Sequence, residues 1–148
     1  MNSNPKNNLD FSKPQLEQFS DDALLEVLPA KTDEGSSTKY VLIKHDYYST
    51  DSEHGREILS GFLTSLISSP YNSIVIYLLD KGVKLLDESN LLYNKMLRVI
   101  EKSDMVVAAE ESINEYGIIL PDDSKIALES ILSVTADITY LDHVITLE

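Results

Sequence analysis

Residues 40–79 read YVLIKHDYYSTDSEHGREILSGFLTSLISSPYNSIVIYLL, and this stretch decides the fold of the chain. The apolar runs at residues 40–43 and 73–79 are typical of strands that are buried on both faces of a sheet. Between them, residues 53–68 carry apolar side chains spaced alternately by one and three positions, which places them on one face of a helix. These side chains are Ile58, Leu59, Phe62, Leu63, Leu66 and Ile67. The stretch therefore predicts a buried strand, a polar loop, an amphipathic helix and a second buried strand.

Local signals mark both ends of that first helix. Thr50 with Glu53 three residues later fits a capping box at the start, and Pro70 ends the helix. After the second strand, residues 80–84 are expected to form a turn, and a second helix is expected over residues 89–102.

The same alternation continues toward the C-terminus. A third strand is expected over residues 105–109, followed by a short helix that Gly117 closes as a left-handed C-cap. Beyond it, the pattern indicates a strand at 126–128, a helix at 130–140 and a last strand at 144–147. The β-branched residues in 130–140 would also suit an extended conformation for part of that helix. Short apolar strands that alternate with helices predict an α/β fold, three layers α/β/α, with a mostly parallel sheet of about five strands.

The N-terminal part of the chain has a different composition. Residues 1–38 are polar and rich in asparagine, and such a segment buries too little apolar surface to offset its chain entropy. We expect a flexible polar N-terminal arm over 1–38 and one α/β domain over 39–148. Within the arm, residues 20–28 are compatible with about two turns of helix, with Ser20 as N-cap.

Charge and composition exclude several classes of function. With 12 lysines and arginines against 25 aspartates and glutamates, the formal charge is −13, and such a surface repels nucleic acid and anionic membranes. No apolar run approaches the roughly 20 residues of a membrane span, so we expect a cytoplasmic protein. The chain contains no cysteine, which excludes disulfides, thiolate metal sites and cysteine nucleophiles.

Ligands of parallel α/β sheets bind at the carboxyl ends of the strands, and six residues there are candidates for ligand binding. They are His45, Asp46, Gly82, Lys84, Glu110 and Ser112. For Gly82, two interpretations stay open, because its amide could face an anionic ligand or it could simply supply a positive φ to the turn. For Ser112, capping of the short helix is favoured over nucleophilic catalysis, which would need a base and an oxyanion hole.

Carboxylates and imidazoles are also frequent between residues 45 and 57, where they could in principle bind a cation. Their spacing matches no known metal motif, so a solvated loop is favoured and neither a metal nor a cofactor is predicted. His54 and Glu57, three residues apart on one helix edge, are interpreted as a surface pair.

Three segments carry a resemblance to a known family. EHGR at residues 53–56, KGVKL at 81–85 and DHVITL at 142–147 have the order and spacing of corresponding pieces in the DsrE/DsrF/TusD-like family. The chain is most similar to the C-terminal domain of YedF-type proteins of sulfur and selenium metabolism. The resemblance covers residues 40–117 well and the remaining tail in outline. It implies a DsrE-like fold and assembly into oligomers.

The chain departs from that family at its thiols. YedF-like domains carry a Cys-Gly-Thr-Cys-like stretch after the third strand, and here Ala109 and Ser112 stand at the positions of the two cysteines. Alanine and serine cannot accept sulfane sulfur, so the chain is not expected to be a cysteine-dependent sulfurtransferase.

Three functions remain open at this point. The favoured one is a cysteine-less, non-catalytic binding or subunit-partner module in sulfur or selenium handling, and a structural subunit of a sulfur-relay complex is close to it. The third is a small-molecule enzyme that uses His45, Asp46 and Glu110 as acid-base groups, and no catalytic residue is assigned. We expect a homo-oligomer, dimer or trimer, or a hetero-oligomer with a related subunit. The apolar residues of 131–141 are spread around the helical wheel, more than one sheet-facing stripe requires.

Overall fold

The structure is a computed structural model that describes residues 38–148. The arm predicted over 1–38, with its short helix, lies outside the described residues except for Thr38, where the first strand begins. Five strands form one sheet in the order β4-β3-β2-β1-β5, and every neighbouring pair is parallel. They are β1 (Thr38–Ile43), β2 (Ser73–Leu78), β3 (Met105–Ala109), β4 (Ile126–Glu129) and β5 (Ile145–Leu147). The predicted α/β fold is confirmed, with a sheet that is parallel throughout.

Four α-helices and one 3₁₀ segment connect the strands. The helices are α1 (Glu53–Ser68), α2 (Tyr93–Lys102), α3 (Glu110–Glu115) and α4 (Ile131–Thr139), and the 3₁₀ segment is Asp80–Leu86. The segment over 130–140 is thus helical despite its β-branched residues, because Ser130 caps it by accepting from the Ser133 amide at 3.1 Å. Among the helices of residues 38–148, none combines the length and the apolar character that crossing a membrane requires.

Between β2 and α2, two predicted features differ from the structure. The second helix starts at Tyr93 instead of residue 89, because Asp87 and Asn90 accept hydrogen bonds from the amides of Ser89 and Leu92 through their side chains. Such local turns compete with helical hydrogen bonding. The expected turn at 80–84 is the first part of the 3₁₀ segment.

The cap of α1 is also different from the prediction. Ser52, and not Thr50, is the N-cap, and its Oγ accepts from the amide of Gly55 at 3.0 Å. Gly55 itself is required there, since a Cβ at this position would lie 2.0 Å from the carbonyl oxygen of Thr50.

The order of the strands explains how the helices are distributed. The chain moves in one direction across the sheet from β1 to β4, and right-handed crossovers in one direction leave their helices on one face. Side chains of α1, α2 and α3 accordingly share one core cluster, centred on residues such as Leu63, Met96 and Ile113. The connection from β4 to β5 runs back, so α4 packs on the other face, around Val134 and Tyr77. Within residues 38–148, that second face is therefore covered by a single helix of nine residues.

Candidate functional site

A cleft of about 400 Å³ lies where β1 and β2 end, and it combines charged, polar and apolar side chains. We call it the strand-end cleft. It is lined by Asp46, Arg56, Lys84, Asp87, Ser89, Asn90, Leu91, Tyr116 and Ile118. Of the six residues predicted from the sequence, Asp46 and Lys84 line this cleft.

Gly82 holds the 3₁₀ segment against the end of β1. A Cβ on Gly82 would lie 2.1 Å from the carbonyl oxygen of Ile43, so only glycine allows the two backbones to approach this closely. Its φ is not positive, and the left-handed residue of this loop is Asp80, with φ of 51°. The interpretation of Gly82 as the supplier of a positive φ is therefore wrong. Gly82 acts on the cleft indirectly, by fixing the segment that carries Lys84.

Two side chains of the α3 region hold Asp80 in its left-handed conformation. Ser112 Oγ accepts from the Asp80 amide at 3.0 Å, and the Tyr116 hydroxyl donates to Asp80 Oδ1 at 2.6 Å. The hydrogen bond to the Asp80 carboxylate, with some burial, raises the pKa of Tyr116 to about 12. Ser112 is thus not the helix cap that the sequence suggested, because α3 starts at Glu110 with Ala109 as a cap that forms no side-chain hydrogen bond.

Tyr116 also contacts the cationic side of the cleft. Lys84 Nζ lies over its ring, 4.9 Å from the centroid, which is within the range of a cation–π interaction. The aromatic ring thereby positions the ammonium group at the cleft wall while its hydroxyl fixes the neighbouring loop.

The other charged groups of the cleft are each held by one partner. Asn90 Nδ2 donates to Asp46 Oδ2 at 3.0 Å, and Arg56 Nη1 donates to Asp51 Oδ1 at 2.8 Å. Asp87 Oδ1 accepts from the amide and the hydroxyl of Ser89. The charged atoms of the cleft are therefore positioned before any ligand arrives.

His45 and Glu110, the remaining candidates, are not among the residues that line this cleft. The His45 ring stacks on Tyr47 at a centroid distance of 4.7 Å, and its Nδ1 is buried without a hydrogen-bond partner in the described part of the chain. Glu110 is exposed in the first turn of α3. The structure does not bring His45, Asp46 and Glu110 together as an acid-base group.

The two positions that match the family cysteines have different surroundings. Ser112 lines a smaller cavity of about 240 Å³, together with acidic residues such as Glu111 and Glu115. Ala109 is fully buried and packs on the α4 face of the sheet. Only the Ser112 position is therefore accessible from a cavity.

No group of three or more histidines and carboxylates within residues 38–148 is arranged to bind a metal ion. His54 and Glu57 form an exposed pair, with 3.3 Å between Nδ1 and Oε1.

Sequence analysis missed Arg56, Asp87, Asn90 and Tyr116 as cleft residues. Arg56 was visible as the last residue of the EHGR segment, but its position one turn into α1 gave no reason to place it near β2. Asp87 and Asn90 follow the 3₁₀ segment, whose path back toward β1 depends on the tertiary contact at Gly82.

Comparison with known proteins gives structural relatives only. No protein-family model matches the sequence, and no curated protein matches it. Among solved structures, MTH1491 from Methanobacterium thermoautotrophicum, a protein of unknown function, superposes with a TM-score of 0.53 at 13% identity, over 74% of this chain and 97% of that one. BT1422 from Bacteroides thetaiotaomicron, a conserved protein of unknown function, has a TM-score of 0.50 at 15% identity, over 74% of this chain and 95% of that one.

The YchN protein from E. coli also has a TM-score of 0.50, at 12% identity, over 75% of this chain and all of that one. At these identities the likeness shows the fold alone, and it agrees with the α/β fold and mostly parallel sheet that the sequence predicts.

Proposed function

We propose that this chain is a non-catalytic binding module that holds a small polar ligand in the strand-end cleft. The observation that carries the proposal is the cleft itself, in which Asp46, Arg56, Lys84 and Asp87 meet at the carboxyl edge of a parallel sheet. Ligands of such sheets bind at this edge, and a cleft of this volume is at the small end of ligand sites.

The chemistry of the neighbouring groups supports binding without catalysis. The chain has no thiol. Ser112 Oγ accepts a hydrogen bond from the Asp80 amide, and among the described residues it has no histidine partner that would activate it. His45 and Glu110 do not face the cleft, so the acid-base enzyme is disfavoured relative to the binding module.

A second role, as a subunit of a larger assembly, is favoured by one separate observation. The α4 side of the sheet exposes large apolar side chains, among them Leu132 and Tyr140, which are 79% and 84% exposed. Apolar groups that cluster on a surface commonly mark a protein interface. With the family resemblance, this supports a partner role in sulfur or selenium handling, in an assembly of like or related subunits.

The test of the binding module is a titration of the ¹⁵N-labelled full chain with mixtures of small acids, amines, amino acids, sugars and nucleosides, followed by amide chemical shifts. We expect saturable shifts confined to residues around Asp46, Lys84 and Asn90. Lys84→Met should weaken the binding that causes these shifts, and the matched variant Lys81→Met should not. Lys81 lies in the same 3₁₀ segment and outside the cleft lining. Absence of any saturable shift at the cleft would overturn the proposal, and chemical conversion of a bound compound would overturn its non-catalytic part.

A further inference from the structure

The strand-end cleft contains both signs of charge, and the opposite charges do not neutralise each other. Within residues 38–148, neither Arg56 nor Lys84 forms an ion pair with Asp46 or Asp87, although all four line one cleft. Arg56 pairs instead with Asp51, and Lys84 lies over the ring of Tyr116. Two cations and two carboxylates thus line one cleft without forming an ion pair with each other.

Each of these charged groups also keeps a polar atom for a ligand. The protein contact of Asp46 uses Oδ2, that of Asp87 uses Oδ1, and that of Arg56 uses Nη1. Among the described residues, no hydrogen bond engages Asp46 Oδ1, Asp87 Oδ2 or Arg56 Nη2. Because one contact fixes each side chain and leaves a second atom available, little side-chain entropy would be lost when a ligand binds.

This arrangement discriminates between classes of ligand. A simple anion would meet two carboxylates at short range, and the net charge of −13 would repel it at long range. A simple cation would meet Arg56 and Lys84. A molecule with an ammonium and a carboxylate a few ångströms apart can satisfy both sides at once and carries no net charge to be repelled.

An apolar wall completes the cleft. Ile118 is buried and Leu91 is 86% exposed, and both line the cleft together with Tyr116. An aliphatic substituent on the ligand could cover Leu91 and so remove apolar surface from water.

From these observations, and resting on the proposed binding function, we infer that the ligand of the strand-end cleft is a small zwitterion with an apolar side chain, of the size of an aliphatic α-amino acid. Its carboxylate lies toward Lys84 and Arg56, and its ammonium group lies toward Asp46 and Asp87. The side chain packs on Leu91 and Ile118.

The experiment compares L-leucine with two of its derivatives on the full chain, by amide chemical shifts and calorimetry. N-acetyl-leucine lacks the ammonium charge, and leucine methyl ester lacks the carboxylate. We expect each derivative to bind about tenfold more weakly than leucine or worse, since a charge-assisted hydrogen bond is lost in each case. Lys84→Met should weaken the binding of leucine while barely changing the binding of the ester. Asp87→Asn should weaken the binding of leucine while barely changing that of N-acetyl-leucine.

Lys81→Met and Asp122→Asn are the matched controls, because both residues lie outside the cleft lining. If a derivative binds as tightly as leucine, or if cleft shifts come only from compounds with a single charge type, the zwitterion is wrong while the binding module stands. If no compound of any class shifts the cleft residues, both are wrong. Loss of leucine binding in the two control variants would place the site elsewhere and would also contradict the inference.

Discussion

At the scale of single residues, Ser112 decides whether sulfur chemistry is available to this chain. With no cysteine, the wild-type chain should acquire no reducible label when it is incubated with a cysteine desulfurase and labelled cysteine. Ser112→Cys should acquire a small amount of label, because position 112 lines a cavity, whereas neighbouring Glu111 and Glu115 keep the thiolate fraction low.

Ala109→Cys is the matched control for that experiment, since residue 109 is fully buried and its thiol should stay unlabelled. Adding Ala109→Cys to Ser112→Cys should therefore restore no more label than Ser112→Cys alone. A stable label on the wild-type chain would contradict the prediction that this chain cannot hold sulfane sulfur. Labelling at residue 109 would show that the α4 face opens.

Tyr116 gives the loop at Asp80 a dependence on high pH. The hydrogen bond to Asp80 raises the pKa of Tyr116 to about 12 in the folded chain, above the ordinary tyrosine value of 10.0. The folded state therefore favours the protonated phenol, so the stabilisation is complete below pH 10 and is lost as the pH rises through about 12.

Phenolate absorbance during an alkaline titration measures this effect. Tyr116→Phe should remove one late-titrating phenol from the curve, and the difference between the two proteins identifies it even though burial also raises the pKa of Tyr77. Tyr93→Phe, on α2, is the control. If the component lost with Tyr116 titrates near the ordinary tyrosine pKa of about 10, the hydrogen bond to Asp80 is not present in solution.

At the scale of elements, α1 contains two glycines with opposite expected behaviour. Gly55→Ala would place a Cβ 2.0 Å from the Thr50 carbonyl oxygen, so we expect a loss in the free energy of unfolding of about 1–3 kcal/mol or more. Gly61→Ala meets nothing within 4 Å and should stabilise the helix by about 0.5–1 kcal/mol. Urea unfolding of both variants checks the pair, and equal effects would show that α1 does not approach the loop as described.

The elements also show what the sequence could and could not predict. The helical spacing of apolar residues and the apolar runs were sufficient to predict α1, β2 and the parallel sheet, because these features follow from burial of one helix face and of whole strands. The predictions for the start of α2 and for the N-cap of α1 were wrong, since both features depend on which of several nearby polar side chains reaches a backbone amide. In the same way, Asp46 and Lys84 followed from the rule for strand ends. Tyr116 could not be predicted in this way, because it follows α3 and reaches the cleft through tertiary packing.

At the scale of the whole molecule, the hydrophobic core of the described residues is formed by side chains between Val41 and Leu147. We therefore expect a chain that starts at Ser36 to unfold cooperatively, with a melting temperature close to that of the full chain. The apolar cluster removed, Leu24, Leu25, Val27 and Leu28, would contribute at most about a few kcal/mol after the entropy of ordering it. Calorimetric melting of both lengths is the measurement, and a truncated chain without a cooperative transition would show that the arm belongs to the domain.

Assembly follows from the uneven covering of the sheet. Among residues 38–148, only α4 covers the second face, and Leu132 and Tyr140 of this region remain 79% and 84% exposed. We propose that this face pairs with a second copy of the chain. The charge of −13 on each subunit opposes such pairing, so raising the salt concentration should screen the repulsion and tighten the assembly.

Light scattering on a sizing column at low and high salt measures this assembly. We expect a dimer or trimer whose population grows with salt and which Leu132→Gln with Tyr140→Ser dissociates. Since both side chains are mostly exposed in the subunit, these substitutions should leave its melting temperature nearly unchanged. Ile119→Gln is the control, because Ile119 is 88% exposed and lies outside α4 and the two edge strands. A single species of 16.6 kDa at both salt concentrations, at tens of micromolar protein, would leave the α4 face without a second copy of the chain and contradict the proposed assembly.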